Sequence, residues 1–297
     1  MKGVIPAAGL GTRMLPATKS QPKEMLPVAK KPVIQYIVEE FAQTGIKEIL
    51  IITGKNKRAI EDHFDRDPGL LQDLKARNKH GQVSYLEELE QLDINVFYTR
   101  QAVPTGLADA VYLAKEFTGD DDFVLALGDT IIDCQQNPIH LQRLINYHKQ
   151  AQAFCSLSTE RIPIEHCSRY GILDILEDEE NTNENETGKY LVQDLIEKPS
   201  QEEAPSNLAI CGRYIFQAKI FDFIEKVKPG KGGEKQLTDA IRLAREQEKI
   251  VALELSEQEK RYDTGTFPLY ARAFVDFCLK DKDIGPALRA YLEELKI

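Results

Sequence analysis

Residues 3–28, GVIPAAGLGTRMLPATKSQPKEMLPV, run from a short apolar strand at Val4 and Ile5 straight into glycines. That junction constrains the fold more than any other stretch, because a strand ending in a glycine-started loop is where an α/β sheet receives phosphate. A dinucleotide fold needs G-x-G-x-x-G entering a helix at once. Here Gly9-Leu10-Gly11 is followed by Met14 at the third glycine position, and Pro16 and Pro22 oppose one uninterrupted helix from Met14 to Lys23. A P-loop needs G-x-x-x-x-G-K-[ST], which the chain lacks. What is left is a long loop carrying Arg13, Lys19 and Lys23 on a chain of formal net charge −10. Three cations gathered against that balance indicate a local demand for positive charge, of the kind a polyphosphate imposes. The competing reading is a solvated basic loop.

The 297 residues, 42% hydrophobic and 29% charged, suffice for one large domain or two small ones. The acidic balance, with no long Lys/Arg cluster to offset it, argues against nucleic acid and anionic membrane as partners. The cysteines, Cys134, Cys155, Cys167, Cys211 and Cys278, are odd in number and form no CxxC pair. Buried free thiols in a reducing cytosol are therefore expected, rather than a disulfide frame or a zinc site. Met1-Lys2-Gly3 leads directly into the first strand, leaving no room for a signal peptide, and no apolar run approaches the ~18 residues of a membrane span. A cytoplasmic protein is the expectation.

The first half alternates strand-like runs (GVIPA, EILIIT, NVFYT, DFVLALGD) with helix-like ones (PVIQYIVEEFAQTG, KRAIEDHF, GLADAVYLAKEF). Buried β-branched runs alternating with amphipathic helices predict an α/β sheet with parallel strands. The helix beginning at Pro32 is expected to stop at Gly45, and Asp65 to Leu92 reads as a charged helical excursion. In the second half AFCSLS, YGILDIL, YLVQDLIEK and NLAICGRYIF read as strands. Helices are predicted near Ala218–Val227, Gln236–Glu246, Pro268–Lys280 and Gly285–Lys296. The acidic run from Glu177 to Thr187 reads as an exposed hairpin tip. No repeat and no composition break is evident, although the nucleotide-type half ends near residue 150.

FVLALGDTIID ends a buried strand at Gly128 and Asp129, placing a carboxylate at the carboxyl end of a strand, where open α/β sheets bind ligands. Asp129 is a candidate Mg²⁺ ligand, since that ion takes few protein carboxylates and several phosphate oxygens; an Asp that merely caps the next segment is the alternative. Asp263 in KRYDTGTF is a second candidate, although Asp-Thr-Gly also makes an ordinary turn. Glu197 and Lys198 in IEKPS end another strand, with a carboxylate able to bond vicinal hydroxyls and an ammonium able to bind a phosphate. Glu234 precedes a helix and is explained almost as well by capping. No Ser or Cys sits in a nucleophile elbow, and the histidines show no metal-ligand spacing. His140 and His148 read as surface or half-buried residues. Loop cations and strand-end carboxylates without a protein nucleophile point to direct displacement at phosphorus, where positioning and charge neutralisation carry the catalysis.

Taken in order, these stretches resemble the sugar-1-phosphate nucleotidyltransferases, and among them the uridylyltransferases acting on glucose 1-phosphate, over nearly the whole chain. PAAGLGTRMLPATKSQPKEMLPV is the specific part. KPVIQYIVEE, QAVPTGLADAV, LGDTIID, YGILD, EKP, SNLAICGRYIF, GGEKQLTDAI and YDTGT follow in the family's order. The resemblance implies a Rossmann-like α/β fold with a mixed, mostly parallel central sheet flanked by helices. It implies a single domain over residues 1–297, with a nucleotide-binding half to about residue 150 and a sugar-phosphate-binding half, with C-terminal helices, beyond. It further implies UTP and glucose 1-phosphate as substrates, UDP-glucose and pyrophosphate as products, and Mg²⁺ as cofactor. Carried over by position, the backbone of Ala8, Gly9 and Gly11 cradles the nucleotide, and Arg13 and Lys23 contact the triphosphate. Glu24 and Gln101 lie at the base with Gly106 beside it. Asp129 and Asp263 hold Mg²⁺, Glu197 binds sugar hydroxyls and Lys198 binds the sugar phosphate. LGDTIID and YDTGT resemble the thymidylyltransferases at least as well, so dTTP is the alternative nucleotide. A non-catalytic sensor is disfavoured by the retention of Asp129 and Lys198. The closing amphipathic helices lean towards a homo-oligomer.

Overall fold

The computed structural model describes residues 1–135, 137–180, 188–230 and 233–295. Its strands are β1 (Lys2–Pro6), β2 (Pro27–Val28), β3 (Lys31–Pro32), β4 (Glu48–Thr53), β5 (Asn95–Arg100), β6 (Phe123–Ala126), β7 (Thr130–Cys134), β8 (Cys155–Arg161), β9 (Gly171–Glu177), β10 (Lys189–Glu197), β11 (Leu208–Phe216), β12 (Ile250–Glu254) and β13 (Glu259–Asp263). Nine of them form one sheet in the order β5-β4-β1-β6-β11-β8-β12-β10-β9. The mostly parallel sheet expected from the sequence holds for the first half, where β5, β4, β1 and β6 run parallel. In the second half β12 is parallel to β8, while β11 is antiparallel to both β6 and β8, and β10 to both β12 and β9.

The sheet forms because its strands are apolar on both faces. Residues of β1 alternate sides, Val4 joining one buried cluster with Leu50, Phe123 and Ile241, and Ile5 the other with Ile37, Phe41 and Ile49. Helix α1 (Val33–Gln43) covers the second face with Ile34, Ile37, Val38 and Phe41. It starts after Pro32 and stops before Gly45, whose φ of 76° the helix cannot continue, as the sequence predicts. Between β4 and β5 lie α2 (Arg58–Phe64), which is the helix expected at KRAIEDHF, and then α3 (Pro68–Ala76) and α4 (His80–Glu90), which make up the charged helical excursion.

The run GLADAVYLAKEF divides into α5 (Leu107–Tyr112) and α6 (Lys115–Thr118) instead of making one helix. Helix α7 (His140–Gln150) corrects the reading of its histidines, since His140 and His148 are both buried. Each finds a hydroxyl partner on β8, His140 Nε2 at 2.8 Å from Ser158 Oγ and His148 Nδ1 at 2.8 Å from Ser156 Oγ. Helix α8 (Ile220–Ile224) is shorter than expected, while α9 (Leu237–Ala244), α10 (Phe267–Lys280) and α11 (Gly285–Glu294) lie where predicted. Strands β9 and β10 pair antiparallel as far as Glu177 opposite Tyr190; of the run read from the sequence as a hairpin tip, residues 181–187 lie outside the described residues. Among the described residues no helix is long and apolar enough to cross a membrane. Four cysteines are buried and Cys134 is half-buried, all with free thiols.

Candidate functional site

An open cleft of about 290 Å³ lies beyond the carboxyl ends of β1 and β6. Ala8, Gly9, Lys23, Glu24, Gln101, Gly106 and Asp129 all line it, so the structure brings together sequence positions far apart in the chain. Glu234 stands on its wall as well. Gln101 is buried, anchored through its N–H to Thr53 O at 2.8 Å, and its Nε2 donates to Gly106 O at 3.3 Å. Gly106 must be glycine: its φ is 121°, and a Cβ there would stand 2.4 Å from Lys235 O. That contact laces the loop to the segment before α9, with Lys235 N donating to Thr105 O at 2.9 Å.

Two ion pairs set the electrostatics. Lys23 Nζ meets Asp129 Oδ2, and Lys57 Nζ meets Glu24 Oε2 at 2.7 Å. Burial works to raise the Asp129 carboxyl, but Lys23 and then Arg13 outweigh it and hold the group below the usual carboxylate range. For Lys23 burial pulls down and the carboxylates of Asp129 and Glu24 pull up, with a net rise. Glu24 goes the other way, since burial raises it further than Lys57 and Lys23 lower it.

Asp263 reaches the same corner by strand pairing. Strands β7 and β13 form a two-stranded antiparallel ribbon in which Asp263 faces Thr130, the residue after Asp129. Thr264 fastens the join, both its N–H and its hydroxyl donating to Asp129 O at 2.9 Å. The gap left between the side chains is marked by Gly265. A Cβ on Gly265 would lie 2.9 Å from Arg13 Nη2, 2.9 Å from Asp263 Oδ1 and 3.5 Å from Asp129 Oδ2. Two carboxylates and a guanidinium thus converge on a space that any other residue would fill. That space suits a hard cation bound by few protein oxygens and completed by phosphate. Among the described residues no cluster of three or more His, Cys, Asp or Glu side chains is arranged to hold a metal. Gly11 does not line the cleft; it shapes the loop, its carbonyl accepting from Thr18 Oγ1 at 2.7 Å.

Glu197 and Lys198 form a separate corner at the end of β10. Lys198 Nζ lies 2.9 Å from Glu197 Oε1, and Thr238 Oγ1 of α9 donates to Glu197 Oε2 at 2.6 Å. Lys198 has a φ of 49°, a left-handed turn that redirects the chain, and its N–H donates to Tyr170 O at 2.9 Å. Sequence reasoning missed Lys57, Thr238 and Gly265. Only Gly265 carried a signal, as the glycine between a candidate carboxylate and a helix.

Residues 2–278 match the nucleotidyl transferase family. The chain belongs to that family. It is 42% identical, over 99% of its length and 96% of the relative's, to the UTP–glucose-1-phosphate uridylyltransferase of Bacillus subtilis. A UTP-bound UDP-glucose pyrophosphorylase from Acinetobacter baumannii superposes with a TM-score of 0.89 at 34% identity, covering 99% of each chain. A UDP-glucose pyrophosphorylase complexed with UDP-glucose gives a TM-score of 0.82 at 35% identity, over 94% of this chain and 99% of that one. The fold expected from the motifs is therefore the nucleotidyltransferase fold found, and the order of the motifs along the chain was the cue that mattered.

Proposed function

We propose that the chain transfers a uridylyl group from UTP to glucose 1-phosphate, releasing UDP-glucose and pyrophosphate. One observation carries the reading: the glycine loop, Lys23, Arg13 and two carboxylates meet at one strand-end corner. The full-length similarity to a relative named for UTP and glucose 1-phosphate supports the choice of substrates. Residues 1–297 then act as one domain, with the nucleotide over its first half.

In this reading a phosphate oxygen of glucose 1-phosphate attacks the α-phosphorus of UTP in line with the bond to the β-phosphate. That P–O bond breaks and pyrophosphate leaves with the electron pair. The backbone of Ala8 and Gly9 cradles the nucleotide, with Gly11 shaping the loop. Arg13 and Lys23 neutralise the triphosphate as charge shifts towards the leaving group. Asp129 and Asp263 would hold Mg²⁺, which when bound offsets phosphate charge. Lys23 sits on Asp129 now, and triphosphate oxygens compete for that ammonium. Lys198 holds the sugar phosphate, and Glu197, steadied by Thr238, accepts from sugar hydroxyls. At the base, Glu24 lies beside Gln101, and the Gln101 amide donates to a carbonyl and accepts from the N3 hydrogen, a pair that uracil and thymine share.

Pyrophosphate release is measured with glucose 1-phosphate, Mg²⁺ and each of UTP, dTTP, CTP, ATP and GTP. UTP is expected first, dTTP measurably used, and the other three poor. A preference for ATP or GTP would mean the base is misplaced, and no turnover with any nucleotide would favour the sensor.

A further inference from the structure

Among the described residues four charged side chains line the nucleotide cleft, those of Lys23, Glu24, Asp129 and Glu234. The first three are matched: Lys23 faces Asp129, and Glu24 faces Lys57. Glu234 is different. It is exposed and meets no cation among the described residues, and its hydrogen-bond neighbour, Gln236 Nε2, stands 3.5 Å away, at the limit of such a bond. The adjacent ammonium, on Lys235, is committed to Asp109 at 3.0 Å. Nor does Glu234 cap the helix that follows, since α9 begins at Leu237 after Gln236 and no side-chain hydrogen bond caps it.

The backbone around Glu234 is fixed at one end of the cleft. Gly230 N donates to Glu234 O at 2.9 Å, Lys235 N to Thr105 O at 2.9 Å and Ala108 N to Lys235 O at 3.1 Å. Glu234 is therefore carried on a segment laced to Gly106, whose carbonyl takes the Gln101 amide. In the proposed reaction Gln101 and Gly106 meet the base, while Lys23 and Asp129 meet phosphate and metal at the other end, so the ribose lies between. An unmatched carboxylate repels phosphate, and it serves a nucleotide only where that nucleotide is neutral and donates a hydrogen bond. The N3 hydrogen of uracil is taken by Gln101. The ribose offers two vicinal hydroxyls, and a carboxylate has two acceptor oxygens and no donor.

We propose that Glu234 accepts from the 2′-hydroxyl of the ribose and selects UTP over deoxynucleotides, an inference that rests on the transferase reaction proposed above. The Gln101 amide cannot make that choice, because uracil and thymine share the edge it meets. A deoxynucleotide leaves one carboxylate oxygen without its donor, but at an exposed position water takes that place, so the selection is about tenfold rather than absolute.

The test compares UTP with dUTP, which differ only at the 2′-position, in the wild-type full chain, Glu234→Ala and Glu234→Gln. Wild type should favour UTP about tenfold in kcat/KM at saturating glucose 1-phosphate and Mg²⁺. Glu234→Ala should bring that ratio below about twofold through a loss with UTP, and Glu234→Gln, whose amide oxygen still accepts, should lie between. The ratio of dUTP to dTTP, which both lack the hydroxyl, should stay as in wild type, as should KM for glucose 1-phosphate. An unchanged UTP-to-dUTP ratio in Glu234→Ala would overturn the proposal. So would equal losses with the two nucleotides, which a purely structural role in the loop would give, or a raised KM for glucose 1-phosphate at an unchanged ratio, which would move Glu234 to the sugar. Calorimetric Kd values for the same pairs separate the two proposals. A preference for UTP over dUTP that depends on Glu234, in a protein that turns over neither nucleotide, would sink the transferase reading and leave the ribose contact standing.

Discussion

The phosphate corner and the sugar corner are built differently. At the first, the Glu24 and Lys57 side chains are 1% and 7% exposed, and those of Lys23 and Asp129 are 15% and 18% exposed, each charge fixed by a partner. At the second, the paired Lys198 and Glu197 are 52% and 22% exposed, and Glu197 also accepts from the Thr238 hydroxyl. Buried charge acts strongly because little water competes with it, and it is costly unless paired in advance. That arrangement suits the place where charge moves during the reaction, since fixed groups need no reorganisation. In the proposed reaction Glu197 meets neutral sugar hydroxyls that exchange with water, and Lys198 meets a phosphate that enters and leaves with the sugar, so this corner can be more open. The difference predicts that changes at the phosphate corner hit rate and stability hard, and changes at the sugar corner shift substrate affinity.

Asp129→Asn tests the comparison most severely. The amide keeps the shape but removes the charge facing Lys23, Arg13 and the proposed metal, so turnover should fall by about 10³ or more, with the fold retained by circular dichroism. An Asn variant of near-normal rate would show that the corner is only structural.

Lys57→Met comes next and is read in stability. It leaves a buried carboxylate without its partner, a loss of about 3 kcal/mol in denaturant unfolding at neutral pH. Glu24 already has its folded pKa raised by burial, against the pull of Lys57 and Lys23, and removing Lys57 raises it further. A raised carboxyl pKa favours the folded state at low pH and less so as pH rises through it. The cost of Lys57→Met should therefore be largest at neutral pH and shrink as pH falls through the raised folded pKa of Glu24, where its carboxyl takes up a proton. A cost independent of pH would mean that Lys57 acts by packing alone.

The sequence made the phosphate corner legible and left its partners dark, for a physical reason. Glycines, prolines and strand-end carboxylates are local signals, so the loop at Gly9, the helix between Pro32 and Gly45, and Asp129 stand out in any single stretch. The pairing of Glu24 with Lys57 spans 33 residues, and that of Thr238 with Glu197 spans 41. Nothing local says which distant lysine will face a given glutamate, because the sheet order decides it. Strand β13 beside β7 brings Asp263 to Asp129, a placement that hydrophobic pattern alone does not specify. The histidines of α7 were misread for a related reason. An amphipathic pattern leaves polar residues facing solvent unless the neighbouring strand offers hydroxyls, as β8 does with Ser156 and Ser158.

At the sugar corner, Thr238→Val removes the hydroxyl that steadies Glu197. KM for glucose 1-phosphate should rise about fivefold, the value of one hydrogen bond to a charged group at a partly exposed site, with kcat nearly unchanged. Thr238→Ser should recover the KM, which a purely packing role for the methyl group would not allow. A fall in kcat without a change in KM would place Glu197 in the chemical step and erase the contrast between the corners.

The smallest effect concerns what carries Thr238. Helix α9 is clamped to β10 by Arg242, whose Nε and Nη2 donate to Asp194 Oδ1 and Oδ2 at 2.9 Å each. Burial alone would raise the Asp194 carboxyl, but Arg242, the Leu195 N–H and Arg245 together hold it below the ordinary value of 3.8. The Arg242 side chain is 51% exposed, so solvent screens the pair and Arg242→Ala should cost only about 0.5 kcal/mol at neutral pH. The sign of its pH dependence is opposite to that at Glu24. A lowered carboxyl pKa stabilises the fold above the unfolded value, and that contribution is lost as pH falls through the lower folded value. Wild type and Arg242→Ala should therefore differ at pH 7, converge below pH 3.8, and share a KM for UTP, while the variant's KM for glucose 1-phosphate rises less than twofold. A rise as large as that of Thr238→Val would make the clamp, and not the threonine hydroxyl, the device that positions Glu197.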